Sequence, residues 1–477
     1  MRPSQAAARL ALGSALLVGG CKVGPNYRAP QMPVPPAYSG NGQNGQWTAT
    51  QPADAKDRGA WWQVYNDAEL NDLEQRCADA NQNIAAALHA YEQAHALVRV
   101  DRASLFPTVS VGVDASRNGV SANKPLRTGA ASYWDFLIPV DISWEPDLWG
   151  GIRRQIESTT ASAQASAAEL ANTRLSLQGV LAVTYLQLRG LDLQAELLRS
   201  TLDAYVEAAR LTQSRFAGGL ATQSDVAQAQ SQLEATRAQL IDLGVQRQQY
   251  EHAIAVLVGA PASNFSIPEK PLAGDPPNIP TGIPSELLQR RPDIAAAERR
   301  IAAANAQIGV AQSALYPQIS IGATGAVESA QIGRLLRSDS AEWSAGPSAS
   351  QVLFDAGRRR ARISVAVAQR EEASALYRQQ VLSAFRDVED QLSALRVLEE
   401  EAAVQGRAVD AARQSANLSL IRYKGGLATY LEVLTDQTIL LNDQRVAAGL
   451  VARRIVASAQ LQVALGGGWD ASQLPRN

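Results

Sequence analysis

The chain has 477 residues, a net charge of −2 and 5% aromatic residues. That balance leaves no basic footprint for nucleic acid, and abundant alanine suits long, closely packed helices better than a thick globular core. No phosphate loop, nucleophile motif or CxxC pair is present, and His89, His95 and His252 form no metal-ligand constellation, so neither enzyme chemistry nor a cofactor is expected.

Residues 1–20 have the form of an export signal. Arg2 and Arg9 precede an apolar run from Leu10 to Val18, and Gly19-Gly20 stand before Cys21. The run is too short to span a bilayer. Leu17-Val18-Gly19-Gly20-Cys21 resembles the bacterial lipobox, which makes Cys21 the lipidated first residue; an ordinary cleaved signal beside a chance cysteine is the other reading. Lys22, where aspartate would signal inner-membrane retention, favours the outer membrane. Cys77 then reads as a lone helix residue, although a pair with Cys21 is possible in principle. Residues 21–66 carry five prolines between Pro25 and Pro36 and are expected to be extended.

A helical pattern begins near Asp67, with a break near Asn81, and ends at Pro107. Val109, Val111 and Val113 then alternate with Ser110, Gly112 and Asp114. The strand from Trp134 to Trp144 is the most informative. Trp134, Phe136, Ile138, Val140, Ile142 and Trp144 share one face; Asp135, Leu137, Pro139, Asp141 and Ser143 share the other. Its length and terminal tryptophans suit a membrane-spanning strand with an aromatic girdle at Trp134, Trp144 and Trp343. A half-buried strand of a soluble sheet alternates in the same way. Pro139 removes a ladder hydrogen bond, and a bulge is expected there.

From Gly151 to Phe216 no proline occurs. Leu170, Leu177, Leu181, Thr184, Leu188, Leu191, Ala195, Leu198, Leu202, Tyr205 and Ala209 mark a heptad seam. A helix of roughly 66 residues is about 100 Å long. Gly218-Gly219 end it, and Thr222 opens a return helix to about Val258. The helix before the first strand and the return helix together match the long helix in length, so the two are expected to stack end to end beside it.

The plan repeats. Arg215-Phe216-Ala217-Gly218-Gly219-Leu220-Ala221-Thr222 returns as Arg422-Tyr423-Lys424-Gly425-Gly426-Leu427-Ala428-Thr429, and Leu105-Phe106-Pro107 returns as Leu315-Tyr316-Pro317. The chain is a tandem duplication, with a first repeat over 67–259, a proline-rich linker over 260–284, a second repeat over 285–466 and a tail over 467–477. The second repeat holds helices over 285–315, 358–423 and 430–465 and strands over 318–327 and 343–354. The fold is mostly α with a β-barrel portion of four strands per chain. Four strands cannot close a barrel in lipid, whereas three chains supply twelve.

Cys21-Lys22-Val23-Gly24-Pro25-Asn26-Tyr27-Arg28-Ala29-Pro30, Leu287-Leu288-Gln289-Arg290-Arg291-Pro292-Asp293-Ile294, the paired Gly-Gly turns and Ala464-Leu465-Gly466-Gly467-Gly468-Trp469 run almost end to end. With them the sequence resembles the outer-membrane factor family, the TolC-like channels of tripartite efflux pumps, and within it the lipoprotein branch (OprM/NodT type). The resemblance implies a homotrimer with a twelve-stranded barrel in outer-membrane lipid and a helical tube. It also implies a periplasmic adaptor (membrane fusion) protein at the tip and an inner-membrane transporter that supplies the energy. Adaptor contact falls on Gly218, Gly219, Leu220, Gly425, Gly426 and Leu427. The family's acidic gate positions fall on Asp225, Glu432 and Thr435. Here Thr435 stands where a second aspartate is common, with Asp436 next to it, which leaves apolar closure through Leu431 as an alternative. Thr222 with Asp225, and Thr429 with Glu432, also have capping-box spacing, so helix capping and gating both stand as readings. Arg153-Arg154 and Arg358-Arg359-Arg360 follow the strands, either as headgroup anchors or as a solvated charge run. An exit duct for protein secretion and a pore-less coiled-coil lipoprotein are the other function classes.

Overall fold

A computed structural model describes residues 22–30, 32, 59–119, 121, 132–277, 279, 290–469 and 471–475. The signal, Cys21, Leu287-Leu288-Gln289 and part of the linker lie outside the described residues. The elements in order are α1 (Ala68–Ala80), α2 (Gln82–Ala103), β1 (Thr108–Val111), β2 (Asp114–Gly119), β3 (Ser132–Trp144), α3 (Gly151–Ala217), α4 (Gln223–Leu257), α5 (Pro292–Ser313), β4 (Gln318–Ser329), β5 (Ala341–Ser350), α6 (Arg358–Lys424) and α7 (Tyr430–Ala464). The break at Asn81 is real. Its backbone is extended, and its side chain accepts from the N–H groups of Asn83 and Ile84, capping α2.

The sheet is antiparallel throughout, with β1 and β2 on β3, β3 on β4 and β4 on β5. The expected bulge at Pro139 is absent. Val111 pairs with Val140 and Asp114 with Leu137, so one register runs through both β1 and β2. They form one strand with a gap in its ladder. Pro139 accepts from the Gly112 N–H at 3.0 Å but has no N–H to return. The two faces are as expected. Ile138, Val140, Ile142 and Trp144 lie opposite Val327, Gly325, Ala323 and Ile321. On the other face Thr324 donates to Asp141 at 2.7 Å, and the Ser320 and Ser348 hydroxyls meet at 2.7 Å.

The long helices α3 and α6 have 67 residues each. On the α3 seam Leu181, Leu188 and Leu198 are buried, as are Leu191, Ala195 and Tyr205. In the half nearest the sheet, α2, α3, α5 and α6 lie side by side; in the far half the order is α4, α3, α7, α6. The short and return helices do stack. Asn81 Nδ2 donates to the carbonyl of Leu257 at 2.8 Å, joining α2 to α4, and Arg291 Nη1 donates to that of Ala464 at 3.1 Å, joining α5 to α7. The helix expected over 285–315 is interrupted at Arg291, which is extended before Pro292; Arg290 is helical, α5 runs on from Pro292 to Ser313, and 285–289 lie outside the described residues. Arg291 also pairs with Asp293 and Asp387, which gives the Arg290-Arg291-Pro292-Asp293 stretch a structural role at this junction.

The glycines inside α3 allow close approach. A Cβ at Gly190 would stand 2.7 Å from Cβ of Ala452 on α7. We expect Gly190→Leu to destabilise the helical part by about 1–3 kcal/mol through overpacking, read as a lower melting temperature; an unchanged melting temperature would contradict this packing.

The N-terminal segment is free of helix and strand over 22–30, as expected, but it is docked on the helices, and its end forms a short turn. Trp61–Tyr65 form a 3₁₀ turn with Trp61 and Trp62 buried. The tail continues past Trp469, and Gln164 reaches the carbonyl of Pro475 at 3.2 Å. At the other end Arg154, 1% exposed, holds the carbonyls of Val23 and Gly24, each at 2.9 Å.

Where the two halves of each stacked rod meet, a core forms around Leu70, Leu73, Cys77, Leu181, Tyr185, Ile254 and Val258. Cys77 is a free, buried thiol. Glu74 is fully buried as well, and neither carboxyl oxygen has a hydrogen-bond partner among the described residues. Burial pushes its pKa up to about 9. The folded chain therefore keeps this proton at neutral pH, whereas an unfolded chain releases it above about pH 4.3. Stability from this group is full below the unfolded pKa and is lost as pH rises towards 9, by about 1.4 kcal/mol per pH unit. Melting temperature should fall from pH 5 to 9 in the wild type and fall less in Glu74→Met. Equal slopes in the two proteins would show that Glu74 does not titrate this way.

Candidate functional site

The end of the molecule farthest from the sheet is formed by two tight helix reversals. Gly219 and Gly426 have φ of 72° and 74°, which side-chain-bearing residues rarely adopt. Leu220 N–H bonds the Arg215 carbonyl at 2.7 Å and Gly219 N–H that of Phe216 at 2.9 Å. In the second repeat Leu427 bonds Arg422 at 2.8 Å and Gly426 bonds Tyr423 at 3.0 Å. These are two copies of one Schellman ending. Leu220 and Leu427 project from them, 70% and 76% exposed. Apolar side chains this open at the tips are available to a partner.

The carboxylates behind the turns differ. Asp225 makes a complete capping box: Thr222 N–H donates to Asp225 at 2.8 Å, and Asp225 N–H donates to the Thr222 hydroxyl at 3.2 Å. Glu432 does only half of this. Its N–H reaches the Thr429 hydroxyl at 3.4 Å, but its carboxylate takes Arg422 Nη1 at 2.6 Å instead of the Thr429 N–H. A guanidinium is a charged donor and outcompetes a neutral amide. The second capping box expected from spacing is therefore replaced by a clasp between α6 and α7. Arg422 also lies 3.5 Å from the Leu427 carbonyl, so it bridges helix, turn and return helix.

Arg215, the counterpart of Arg422, does not turn to Asp225. It reaches into the other repeat, donating to the Lys424 carbonyl at 3.2 Å and lying 4.8 Å over the Tyr423 ring. Tyr423 packs edge-on against Tyr430 at 5.7 Å, and with Ala229 and Val433 they form a small buried core just inside the tips. Arg215, Arg422, Tyr423 and Tyr430 were not singled out as site residues by sequence reasoning. The signal was present, since three of them belong to the repeated Arg-aromatic-x-Gly-Gly motif.

The remaining predicted positions fall on α7. Leu431 and Thr435 are exposed one turn apart, and the Thr435 hydroxyl is tied back to the Leu431 carbonyl at 2.8 Å. Asp436 points to α6 and accepts from Ser415 at 3.0 Å. Leu431, Glu432 and Thr435 thus stand together, while Asp225 is committed to its cap. At the opposite end Trp134 and Trp144 mark the two ends of the apolar face of β3. Trp343 shares the face but not the row of either: it pairs with Gly325, which lies opposite Val140, whereas the Trp144 row leads through Ile321 to Pro347. Sequence periodicity gives its face but not its register.

The model of the outer membrane efflux protein family matches residues 73–260 and 283–467. The chain belongs to that family. This efflux protein is 33% identical over 473 residues to the pyoverdine export outer membrane protein OpmQ of Pseudomonas aeruginosa, with 97% of each chain covered. It is 32% identical over 470 residues to the outer membrane protein OprJ of the same organism, covering 96% of this chain and 95% of OprJ. Among solved structures, the outer-membrane channel OprN superposes with a TM-score of 0.85 at 31% identity, over 94% of this chain and all of that one. The open-state MtrE channel of Neisseria gonorrhoeae gives 0.80 at 25%, over 94% and 99%. The fold of this efflux protein is that of the TolC-like channels, its location is the outer membrane, and its relatives are channels rather than enzymes.

Proposed function

We propose that three copies form a passive exit duct of a tripartite efflux system, for small toxic compounds delivered by an inner-membrane pump through a periplasmic adaptor. One observation carries this: the four-strand sheet has an apolar face and two edges, β1/β2 and β5, with no partner strand among the described residues, and it leads directly into 67-residue helices. Lipid does not tolerate open edges, and three sheets joined edge to edge make a closed twelve-stranded barrel. Trp134 and Trp144 lie ten residues apart on β3, which at a tilt of about 40° spans roughly 25 Å, the height of an outer-membrane apolar band. The heptad helices continue as a tube whose tips, with Leu220 and Leu427, meet the adaptor. Cys21 carries a lipid anchor, and Lys22, paired with Glu157, ties the anchored strand to the start of α3. Relatives are named for export of pyoverdine, antibiotics and toluene, which favours small molecules over secreted proteins.

The test is expression with matching adaptor and pump in a Gram-negative host lacking its own exit duct. The proposal expects a heat-modifiable outer-membrane trimer and restored resistance to small toxic compounds. A monomer in the soluble periplasmic fraction would overturn it.

A further inference from the structure

At the tips the two repeats of one chain are joined across a seam. Arg215, at the end of α3, reaches into the second repeat: its Nη1 donates to the Lys424 carbonyl at 3.2 Å, and its guanidinium lies 4.8 Å over the Tyr423 ring. Behind this contact Tyr423, Tyr430 and Val433 close over Ala229 of the first repeat, and all four are buried.

Three copies of a two-repeat chain set six like hairpins in a ring. The hairpins are near copies. Their long helices have 67 residues each and their return helices 35, and their turns share one φ and one hydrogen-bond pattern. In the row α4, α3, α7, α6 the outer members are α4 and α6, so α6 of one chain meets the α3/α4 hairpin of the next. That second seam repeats the first with each residue replaced by its counterpart. Arg422 stands for Arg215, and Phe216 of the partner subunit stands for Tyr423. Gln223 takes the place of Tyr430, and Asp436 that of Ala229.

The chain holds both halves of this contact ready. Glu432 takes Arg422 Nη1 at 2.6 Å, and Nη2 lies 3.5 Å from the Leu427 carbonyl. Both partners sit at the edge of the guanidinium, which leaves its flat face for an aromatic ring. Phe216 is 37% exposed, whereas Tyr423 is 4% exposed. The two seams differ in strength. The one inside the chain is sealed by a buried tyrosine pair. The one between chains has a glutamine and an aspartate in the matching places, and such groups keep water at the joint.

We infer that Arg422 of each chain, oriented by Glu432, stacks on Phe216 of the partner subunit, and that this seam between chains is the one that parts when the tips open. The seam of Arg215, Tyr423 and Tyr430 inside each chain stays shut. The inference rests on the trimer proposed above. It explains how a clasp within one hairpin can hold a whole ring closed.

The test uses the full-length protein. F216C/R422C and the control R215C/Y423C, each in a C77A background, are treated with a short bis-maleimide and run on denaturing gels. F216C/R422C should give covalent dimers and trimers, and R215C/Y423C a cross-linked monomer. In planar bilayers F216A and R422A should each raise conductance several-fold, F216A/R422A no further than either alone, and F216W should conduct like the wild type. The melting temperature should stay nearly constant in these variants. Cross-linking of F216C/R422C only within single chains would overturn the inference. So would effects of F216A and R422A that multiply in the double variant, because the two side chains would then act apart. Failure to isolate any trimer would instead count against the trimer itself, so the two failures are distinguishable.

Discussion

Asp192→Ala will destabilise the helical part of the protein by roughly 3–5 kcal/mol, the range for removing one partner of a buried charge network. Asp192 is 2% exposed and accepts three bonds: from Arg189 at 3.1 Å, Arg247 at 2.7 Å and the Lys270 backbone N–H at 3.0 Å. Arg189 is equally buried, pairs with Glu69 and lies 4.7 Å over the Tyr185 ring. Its Nη1 also donates to the Pro268 carbonyl at 2.6 Å, and Leu272 N–H returns to the Arg189 carbonyl at 3.1 Å. Arg247 adds the Ile267 carbonyl at 2.7 Å. The network thus nails the proline-rich linker onto α3 and α4. Without Asp192 the buried Arg189 and the half-buried Arg247 lose their shared anion, leaving Glu69 and Glu251 as their remaining carboxylates, and the linker loses its anchor. Thermal melts of purified protein check this, with proteolysis in the 260–277 stretch as a second readout. A loss near that of an exposed ion pair, below about 1 kcal/mol, would show that the network is not what holds the linker.

Opening the Arg422–Glu432 clasp should have the largest effect on transport. The pair is about half exposed, so each copy contributes only on the order of 0.2–1 kcal/mol. That is too little to decide folding. In the proposed trimer three copies total roughly 0.6–3 kcal/mol, which shifts a closed-to-open ratio about 3- to 150-fold. Arg422→Ala and Glu432→Ala should therefore each raise conductance several-fold while the melting temperature stays nearly constant. Exposed pairs are screened by salt, so the wild type should open more readily as ionic strength rises and the variants should not. Loss of stability without any change in conductance would make Glu432 a cap like Asp225.

Much of the architecture was legible because it is periodic or repeated. The heptad seam around Leu181, Leu188 and Leu198, the break at Asn81, the Gly-Gly reversals and the alternation on β3 are all properties of neighbouring residues. What the sequence hid depends on which distant groups compete for the same partner. Thr429 and Glu432 have the right spacing for a capping box, but nothing local reveals that Arg422, ten positions away, takes the carboxylate. Arg189 and Asp192 look like solvated charges between heptad leucines, and only the fold brings Glu69, Arg247 and Pro268 around them. Pro139 looked like a bulge because the loss of its N–H is visible in sequence, whereas Gly112 opposite it, which lets the register pass unbroken, becomes a partner only through strand pairing. The face of Trp343 is legible for the same local reason, whereas its row, opposite Gly325, is set by strand pairing.

The most direct test of the account is single-channel conductance of the purified trimer in planar bilayers, for wild type, Glu432→Ala and Asp225→Ala. The account predicts a small wild-type conductance that rises several-fold in Glu432→Ala, with Asp225→Ala conducting like the wild type but less stable by roughly 0.3–1.5 kcal/mol, the range of one capping feature. No conductance from any of the three verified trimers would contradict the exit duct itself, and a rise in Asp225→Ala alone would move the closure to the first repeat.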